Sequence, residues 1–386
     1  MLPATMLGTR LTLLIGPGVA VPAPPPLAEA LTSIEVVETS DARDGFELTF
    51  RLTRGPLDVL DYALAANPLL RPFSRVVVLA TVGPIPQVLI DGFITQRRIT
   101  PGNNPCEGTL VVTGEDLRVM MDLQHVPMAY PQMPPHVRVQ TILLKYMALL
   151  GLPPLVIPSL DAVPPLALDR VPTQSSTDLA YIEQLAEEAG YVFQIQPTPA
   201  PMMNLAYWGP EVRPGIPPGM QPALSVNLGP ETNVTKLTVR YDALGPALVL
   251  GAMQEPNTRA PVPLAAPASL RVPLAAIPAL AVQAPYFRTR MMPGASRLSV
   301  PEALARAMGQ VDRTLDVVTA EGELDTARYG SVLRARGLVG VRGAGYLLDG
   351  FYQVKRVTHH IQRNSYTQKF ALKREGLGAL APVVLP

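Results

Sequence analysis

The first third of the chain carries apolar residues at every second position, which is the pattern of half-buried β-strands. Phe46, Leu48 and Phe50 are apolar, and the residues between them are charged or polar. Apolar and β-branched runs predict further strands at Leu11–Ile15, Val76–Val82, Val88–Ile99 and Thr109–Thr113. Together these strands predict a small antiparallel barrel or a curled meander.

The apolar run at Leu11–Ile15 follows Arg10, as in the start of a signal peptide. Pro17 and Gly18 end this run after about five residues, whereas the apolar region of a signal peptide needs roughly 7 to 15. We therefore expect a first β-strand here.

Helical periodicity follows these strands. The segment His136–Leu150 places apolar residues three and four positions apart, and Gly151 is a candidate C-terminal cap. Its apolar residues are Val139, Leu143, Tyr146, Met147 and Leu150. A second helix is predicted with Ser176 or Thr177 as its N-cap and Gly190 at its end. Its inward residues are Leu179, Ile182, Leu185 and Ala186, and a strand through Tyr191, Phe193 and Ile195 should follow.

Strand patterns return in the last part of the chain. Thr235–Tyr241 predicts a strand, and Ser299 with Glu302 three residues later is typical of a capping box. With Pro301 between these two residues, the pattern predicts a helix that continues to about Val311.

A long hairpin is expected near the end of the chain. Its strands are Phe351–Ile361 and Tyr366–Arg374, joined through Arg363, Asn364 and Ser365. In the second strand Tyr366, Phe370 and Leu372 share one face, and Thr367, Lys369 and Lys373 share the other. Lysine on a possible edge strand would discourage unwanted pairing.

Two ten-residue segments resemble each other. Residues 90–99 (IDGFITQRRI) and 348–357 (LDGFYQVKRV) share Asp, Gly, Phe and one Arg at the same offsets. In both, the Asp-Gly pair should turn the chain into a strand, since glycine tolerates positive φ. The match is either chance, convergent hairpin chemistry, or a sign of two related barrels. In the last case three chains around an axis would form a ring of six similar barrels.

Composition narrows the class of protein. Hydrophobic residues make up 48% and charged residues 16% of the 386 residues, below the roughly 25% charged residues of typical soluble proteins. Much of the surface should therefore be covered in an assembly. The net charge of +1, without basic runs, argues against nucleic acid as a partner.

Prolines separate the ordered blocks and exclude one class of membrane segment. The chain contains 44 prolines, about twice the average usage. They are dense in the apolar stretch Ala260–Tyr286, which also contains Arg271, so a membrane-spanning helix is excluded there. We expect an extended apolar strap that lies along another domain or a neighbouring subunit.

Catalytic and metal-binding patterns are weak throughout. The single cysteine, Cys106, allows neither an intramolecular disulfide nor a cysteine-rich metal site. His359 and His360 are adjacent on a predicted strand, so they should point to opposite faces, and we expect a role on the strand surface for them. His125 and His136 lack the spacing that places two ligands on one helical face. We predict no catalytic residues, no metal site and no cofactor.

Two further patterns have simpler structural explanations. The glycines at 337, 340, 343 and 345 lack the Gly-Lys-Ser/Thr ending of a phosphate-binding loop and predict β-turns instead. Glu183, Glu187 and Glu188 are expected on the solvated face of a helix, because nothing fixes a pair of carboxylates in a cleft.

Several segments, in this order, resemble the phage late control D family. They are Val112–Leu117, Thr177–Leu179 with Leu185–Ala186 and Gly190–Tyr191, Gly322–Gly330, Asp349–Val354, Thr358–His359 and Gln368–Phe370. The family comprises trimeric baseplate hubs of contractile tails, the N-terminal part of type VI secretion spike proteins, and hubs of extracellular contractile injection systems. The resemblance covers nearly the whole chain.

The resemblance implies a structural, non-enzymatic baseplate hub. Such a hub is a homotrimer with a pseudo-six-fold ring, a symmetry adapter that joins a hexameric inner tube to a trimeric spike and contacts other baseplate proteins. It would be assembled in the cytoplasm as part of a contractile particle, without direct membrane insertion. Because the chain ends at Pro386, we expect the spike to be a separate polypeptide.

The expected fold is mainly β with α insertions, and it contains two similar antiparallel β-barrel domains. The expected division is 1–116 first barrel, 117–232 helix-containing insertion, 233–244 strand of the second barrel, 245–298 proline-rich strap, 299–376 helix and second barrel hairpin, and 377–386 C-terminal tail.

The barrel strands supply the candidate interface residues. These are Asp91, Gly92, Phe93, Arg97, Asp349, Gly350, Phe351, Tyr352 and Arg356. The alternative functions are a different tail-tip or adhesin component, which would bind sugar or cell-wall material, and a cell-wall hydrolase.

Overall fold

Strands are the most common secondary structure among the described residues. The computed structural model describes residues 10–53, 62–83, 85–103, 107–159, 171–211, 220–245, 247–254, 260–266, 271–279, 281, 288–292 and 300–380. A large antiparallel sheet with few helices confirms the expected fold class, mainly β with α insertions.

The first block is almost entirely β and confirms every strand predicted there. Its elements are β1 (Arg10–Pro17), β2 (Val21–Pro22), α1 (Pro25–Ala30), β3 (Leu31–Thr39), β4 (Gly45–Leu52), β5 (Ser74–Val82), β6 (Ile85–Thr100) and β7 (Gly108–Asp116).

The second block contains the two long helices that the sequence predicts. Its elements are β8 (Met128–Ala129), α2 (Pro135–Leu150), β9 (Pro154–Val156), β10 (Thr173–Gln174), α3 (Asp178–Ala189), β11 (Val192–Pro197) and β12 (Asn204–Gly209).

The third block returns to strands. Its elements are β13 (Met220–Ser225), β14 (Val234–Tyr241), β15 (Ala247–Gln254), β16 (Pro261–Ala266), β17 (Ile277–Pro278), β18 (Arg288–Met291), α4 (Val300–Thr314), β19 (Val318–Asp325), α5 (Thr326–Tyr329), β20 (Leu338–Arg342), β21 (Gly350–Gln362), β22 (Ser365–Arg374) and β23 (Gly376–Leu377).

Thirteen strands form one sheet that contains two strand sets with the same order. The first strand set runs β3-β4-β7-β6-β5-β1, and the second runs β14-β19-β22-β21-β20-β13. Equivalent strands also follow each other in the same order along the chain. One pair differs, because β1 and β5 are antiparallel whereas β13 and β20 are parallel. The β3–β21 ladder joins the sets, from Ser33 opposite Gln362 to Thr39 opposite Arg356.

Each strand set has its own apolar core. The first core includes Ile34, Leu48, Phe50, Val78 and Leu110, and the alternation in β4 buries the side chains that the sequence pattern indicated. The second core includes Val318, Leu324, Val339, Val354 and Phe370. A curled sheet with one buried face explains both cores.

The helices of the second block close a third core. Thr177 caps α3 by accepting a hydrogen bond from the Ala180 amide, and Gly151 and Gly190 end α2 and α3 in the left-handed conformation, as predicted. Met147 departs from its prediction, since it is 45% exposed, whereas Leu150 at the end of α2 is buried as predicted.

The terminal hairpin forms as predicted, but it is not an edge. β22 lies between β19 and β21, and each of its sides carries a full ladder. The Lys373 side chain is buried and paired with Glu211 and Asp316, so it balances buried charge instead of guarding an edge.

The proline-rich stretch is partly folded. β15, β16 and β18 form a small sheet in the order β16-β15-β18, and α4 packs against it through Ala303, Ala307 and Val311. A small sheet with a packed helix is therefore found where an extended apolar strap was expected, over the described part. Residues 255–259, 267–270, 280, 282–287 and 293–299 lie outside the described residues, and with them the predicted N-cap Ser299.

The second strand set begins earlier than the expected division. β13 lies within residues 117–232, which were assigned to the helical insertion, but it pairs with β20. This strand has only six residues and contains Pro222, so it gives little sequence signal.

Candidate assembly surfaces and the buried ionic junction

The candidate interface residues around Gly92 are mostly buried inside the chain. Asp91 accepts two hydrogen bonds from Arg75, each 2.7 Å, and one from the Asn204 amide at 2.8 Å. Phe93 packs into the helical core. These contacts tie the first strand set to the second block, and the buried side chains are not accessible to a partner in this conformation.

Gly92 does not turn the chain as predicted, because it lies in the interior of β6. A Cβ atom on it would stand 2.1 Å from the Glu115 carbonyl oxygen, so the glycine permits close approach of two strands.

The equivalent segment at Gly350 begins β21 as predicted, and Gly350 has φ of +121°. Asp349 accepts hydrogen bonds from the amides of Gly343 and Ala344, at 3.3 and 2.8 Å. Tyr352 is buried under the Arg374 guanidinium, whose carbon lies 4.3 Å from the ring centroid. Asp349 and Tyr352 therefore shape the loop before β21 and do not form a surface.

Four of the nine candidates stay accessible to a partner. Arg97 and Arg356 are exposed, and Gly350 and Phe351 are half-buried. Arg97 donates to the Ala65 carbonyl at 3.1 Å, which leaves the rest of its guanidinium free to bind a partner. Their role in an interface stays a prediction.

The central strands of the sheet carry different features at their two opposite ends. At one end, here called the hairpin end, β6 turns into β7 after Thr100 and β21 turns into β22 after Gln362. The registers Arg51–Thr109, Leu31–Phe50 and Ser33–Gln362 place these two turns at the same end of the sheet. A cavity of about 570 Å³ opens there between α1, Asp325 and the second hairpin.

The opposite end, here called the inserted end, carries the blocks that occur once per chain. The β3–β4 turn lies there, with Arg43 paired to Glu115 and Asp122. A cleft of about 630 Å³ separates this turn from α3, α4 and Arg271. Within the cleft Arg271 and Lys373 share the carboxylates of Glu211 and Asp316, at 2.5 to 3.4 Å.

A buried ionic junction connects the two strand sets through the loop before β20. Arg336 donates to Asp44 at 2.6 Å and to the Thr39 carbonyl at 2.7 Å. Asp44 lies beside Asp116, which is paired with Arg118 at 2.6 Å. Burial raises the pKa of Asp44, and the neighbouring Asp116 adds to the rise although Arg336 opposes it. Burial would also raise the pKa of Asp116, but Arg118 holds it below its ordinary value.

A second part of the junction surrounds Glu38. Its carboxylate pairs with Arg334 at 2.7 Å and His359 Nε2 at 3.2 Å, and accepts from the Ala335 amide at 3.0 Å. Burial alone would raise the pKa of Glu38, but the charges and hydrogen bonds of Arg334 and His359 lower it to about 2. On its other side, the imidazole of His359 contacts the Tyr366 hydroxyl at 2.8 Å.

The two adjacent histidines point to opposite faces, as predicted. His359 is fully buried, however, and the expected surface role is wrong for it because Glu38 and Tyr366 satisfy both ring nitrogens. His360 is half-exposed and lies 3.2 Å from Glu35.

No cluster of three or more histidine, cysteine or carboxylate side chains could hold a metal ion in the part of the chain that the structure describes. Cys106 lies outside that part. The glycines before β21 form turns, with Gly343 at φ +85° and Gly345 at +101°. Among the described residues, no helix is both long and apolar enough to cross a membrane.

Sequence reasoning missed the ionic junction. Arg336 is 292 residues from Asp44 in the sequence, and single charged residues within strands and turns look like surface positions. One signal was available for part of it: Glu38 follows Ile34 and Val36 at two-residue spacing, on the buried face of β3.

No protein-family model and no curated protein sequence matches the chain. Solved structures do match. The 43 kDa tail protein of prophage MuSo2 from Shewanella oneidensis has a TM-score of 0.64 at 11% identity, over 95% of this chain and 99% of that one. A tail protein from Neisseria meningitidis has a TM-score of 0.62 at 12% identity, over 96% and 98%.

A component of the Escherichia coli type VI secretion system, itself structurally similar to bacteriophage T4 tail proteins, has a TM-score of 0.51 at 14% identity. The match covers 92% of this chain and 77% of that one. At such identities the shared property is the fold. The chain therefore has the fold of phage tail proteins and of a type VI secretion component, in agreement with the resemblance seen in its sequence.

Proposed function

We propose that the protein is the baseplate hub of a phage-tail-like contractile injection system, acting as a homotrimer between an inner tube and a spike. The observation that carries this proposal is the repeated strand order. Two strand sets per chain give six similar units in a trimer, which suits a six-fold partner at one end and a three-fold partner at the other.

The different features at the two ends of the sheet support a different partner at each end. The hairpin end repeats one feature, the hairpin, in both strand sets, so a trimer offers six hairpins to a hexameric tube. The inserted end carries α2, α3 and the small β15 sheet once per chain, so a trimer offers three copies of each to a trimeric spike.

A structural role fits the charged groups better than a catalytic one. The carboxylates of Glu38, Asp44 and Asp116 are each paired with an arginine and almost fully buried, so they do not face a substrate from the surface in this conformation. Assembly in the cytoplasm, as part of the particle, belongs to the same proposal.

Native mass spectrometry of the purified chain tests the trimer. We expect a species of three times the chain mass of 41.4 kDa. A chain that stays monomeric at tens of micromolar, and in the presence of the spike protein of its own system, contradicts the proposal.

Co-purification tests the assignment of the ends. The exposed hairpin residue Arg363, changed to Asp, should weaken capture of the tube protein at least tenfold and leave capture of the spike protein unchanged. The matched control is Arg342→Asp, a partly exposed arginine in β20 away from this turn, which should affect neither. Equal loss of both partners with Arg363→Asp would contradict the assignment of the hairpin end to the tube.

A further inference from the structure

Several strand edges of the sheet lack a ladder partner over the described residues, among them those of β6 and β14. β6 pairs with β7 along one edge up to Thr100, but on the other edge its ladder with β5 stops at Phe93. β14 pairs with β19 alone. Over the described ranges, the β6 edge at 96–100 and the outer edge of β14 therefore lack ladder partners. Unpaired edges of this kind are templates for another chain.

The second strand set shows what fills the edge equivalent to that of β6. The equivalent strand is β21, which pairs with β22 along one edge. On its other edge it pairs with β20 as far as Gln353 and then with β3 from Arg356 to Gln362. The part of β21 that is equivalent to the open part of β6 is therefore paired with β3.

The strand equivalent to β3 is β14, the other strand with an open edge. Each is the outermost strand of its set, and each pairs with the next strand of the set, β4 or β19. Each ladder also has a bulge near its start, at Thr32 in β3 and at Thr235 in β14. The open edges of β6 and β14 therefore correspond to edges of β21 and β3 that are paired with each other inside the chain.

We propose that β14 of one copy pairs antiparallel with the open edge of β6 in the next copy and repeats the β3–β21 ladder between chains. The inference rests on the proposed trimer. Three β3–β21 ladders within chains and three β14–β6 ladders between chains would give six equivalent junctions around the ring. Head-to-tail contacts form a closed ring when the same rotation relates each copy to the next and returns to the first copy. Backbone hydrogen bonds would then cover both open edges.

The register follows from the equivalence of the strands. Aligning the bulges at Thr95 with Lys355, and at Thr32 with Thr235, places Thr100 opposite Thr238. Aligning the Asp-Gly-Phe segments of β6 and β21 instead places Thr100 opposite Arg240. Thr238 and Arg240 are exposed and lie on the same face of β14, whereas Val239 faces the core.

Disulfide formation between copies tests this ladder. In a Cys106→Ser background, one variant combines Thr100→Cys with Thr238→Cys and another combines Thr100→Cys with Arg240→Cys. Directly opposed residues in antiparallel strands lie roughly 4.5 to 5.5 Å apart, within the range of disulfides. After mild oxidation we expect one of these variants to give covalent trimers at least tenfold more than the matched control, Thr100→Cys with Val239→Cys.

The six strands between β14 and β6 in the sheet keep the paired cysteines of one chain apart, so a cross-link reports on two copies. Amide hydrogen exchange gives a second measurement without cysteines. In the trimer, amides within 96–100 and 234–241 should exchange at least tenfold more slowly than in the diluted monomer.

The outcomes separate this ladder from the hub proposal. A trimer by native mass spectrometry without cross-links above the control, and with fast exchange in both edges, overturns the ladder and leaves the hub proposal standing. A chain that does not trimerise even with its spike protein overturns the hub proposal itself.

Discussion

At the scale of single residues, the protein uses buried charge where its sequence looks like surface. Glu38, Asp44 and Asp116 lie within the fold with almost no exposure, and each is paired with an arginine. The arginines of Glu38 and Asp44 come from a distant part of the chain, whereas Arg118 is two residues from Asp116. A buried ion pair adds little net stability, but removing one partner leaves an uncompensated charge. The positions are therefore sensitive to substitution and to pH.

Glu38 makes the stability of the chain fall in acid. Its folded pKa of about 2 lies below the ordinary value of 4.5, so its contribution is present above pH 4.5 and is lost as the pH falls toward 2. Between pH 6 and 3 the free energy of unfolding should fall by about 2 kcal/mol more in the wild type than in Glu38→Gln. Urea unfolding at both pH values measures this.

The exposed Glu29 provides the control for this experiment. Glu29→Gln should keep the wild-type dependence of unfolding on pH, since the residue lies on the surface. If Glu38→Gln and the wild type lose the same free energy between pH 6 and 3, the pairing of Glu38 does not have the assigned effect.

A glycine is needed at position 92 because the backbones of β6 and β7 approach closely there, and not because of its backbone conformation. A Cβ atom would meet the Glu115 carbonyl oxygen at 2.1 Å, so Gly92→Ala should lower the free energy of unfolding by about 2 kcal/mol or more. Gly340→Ala is the control, because its nearest contacts are 3.7 and 3.9 Å. Equal midpoints of chemical unfolding for the two variants would show that the strands can separate at no cost.

At the scale of elements, local signals set the boundaries of the helices. α3 begins at the Thr177 cap and ends at Gly190 in the left-handed conformation, both as expected from the sequence. The Thr177 hydroxyl also donates to Asp122 at 2.7 Å, which links the helix to the turn after β7. Capping of this kind depends on a few adjacent residues, so it is visible in sequence.

Thr177→Ala should destabilise the chain by about 1 to 2 kcal/mol, since it removes the bond to the Ala180 amide and the bond to Asp122. Ser176→Ala should change the free energy of unfolding by less than about 0.5 kcal/mol, because the Ser176 hydroxyl makes one contact of 3.4 Å. Thermal unfolding followed by circular dichroism compares the two. The reverse ranking would identify Ser176 as the effective cap.

At the scale of the whole molecule, the loop before β20 links the strand sets. Arg334 and Arg336 both belong to this loop, and both reach carboxylates of the first set. Arg336 has φ of +69°, a conformation that costs energy in a residue other than glycine. The strain is offset by the two hydrogen bonds that its side chain makes to Asp44 and the Thr39 carbonyl.

Arg336→Met should lower the free energy of unfolding by about 3 kcal/mol or more, because Asp44 loses its buried partner. The control is Lys355→Met, which removes a largely exposed pair with Asp41 at 3.0 Å and should cost less than about 1 kcal/mol. Differential scanning calorimetry should also show broader unfolding for Arg336→Met, as the two strand sets uncouple. A sharp single transition at the wild-type temperature would contradict the role of the junction.

The sequence alone determined the elements and their kind. Alternation in β4, three- and four-residue spacing in α2, and the caps at Thr177 and Gly190 are local patterns, and local patterns follow from the geometry of strands and helices. The similarity between the segments at Gly92 and Gly350 also placed equivalent strands correctly, β6 in one set and β21 in the other.

Tertiary structure alone decided which residues are accessible and what each charge does. Asp91 and Tyr352 looked like interface residues but are buried, and His359 looked like a surface histidine but lies between Glu38 and Tyr366. Lys373 looked like an edge residue until β19 paired with its strand. Such outcomes depend on contacts between segments separated by tens to hundreds of residues, and no short pattern in a single sequence encodes them.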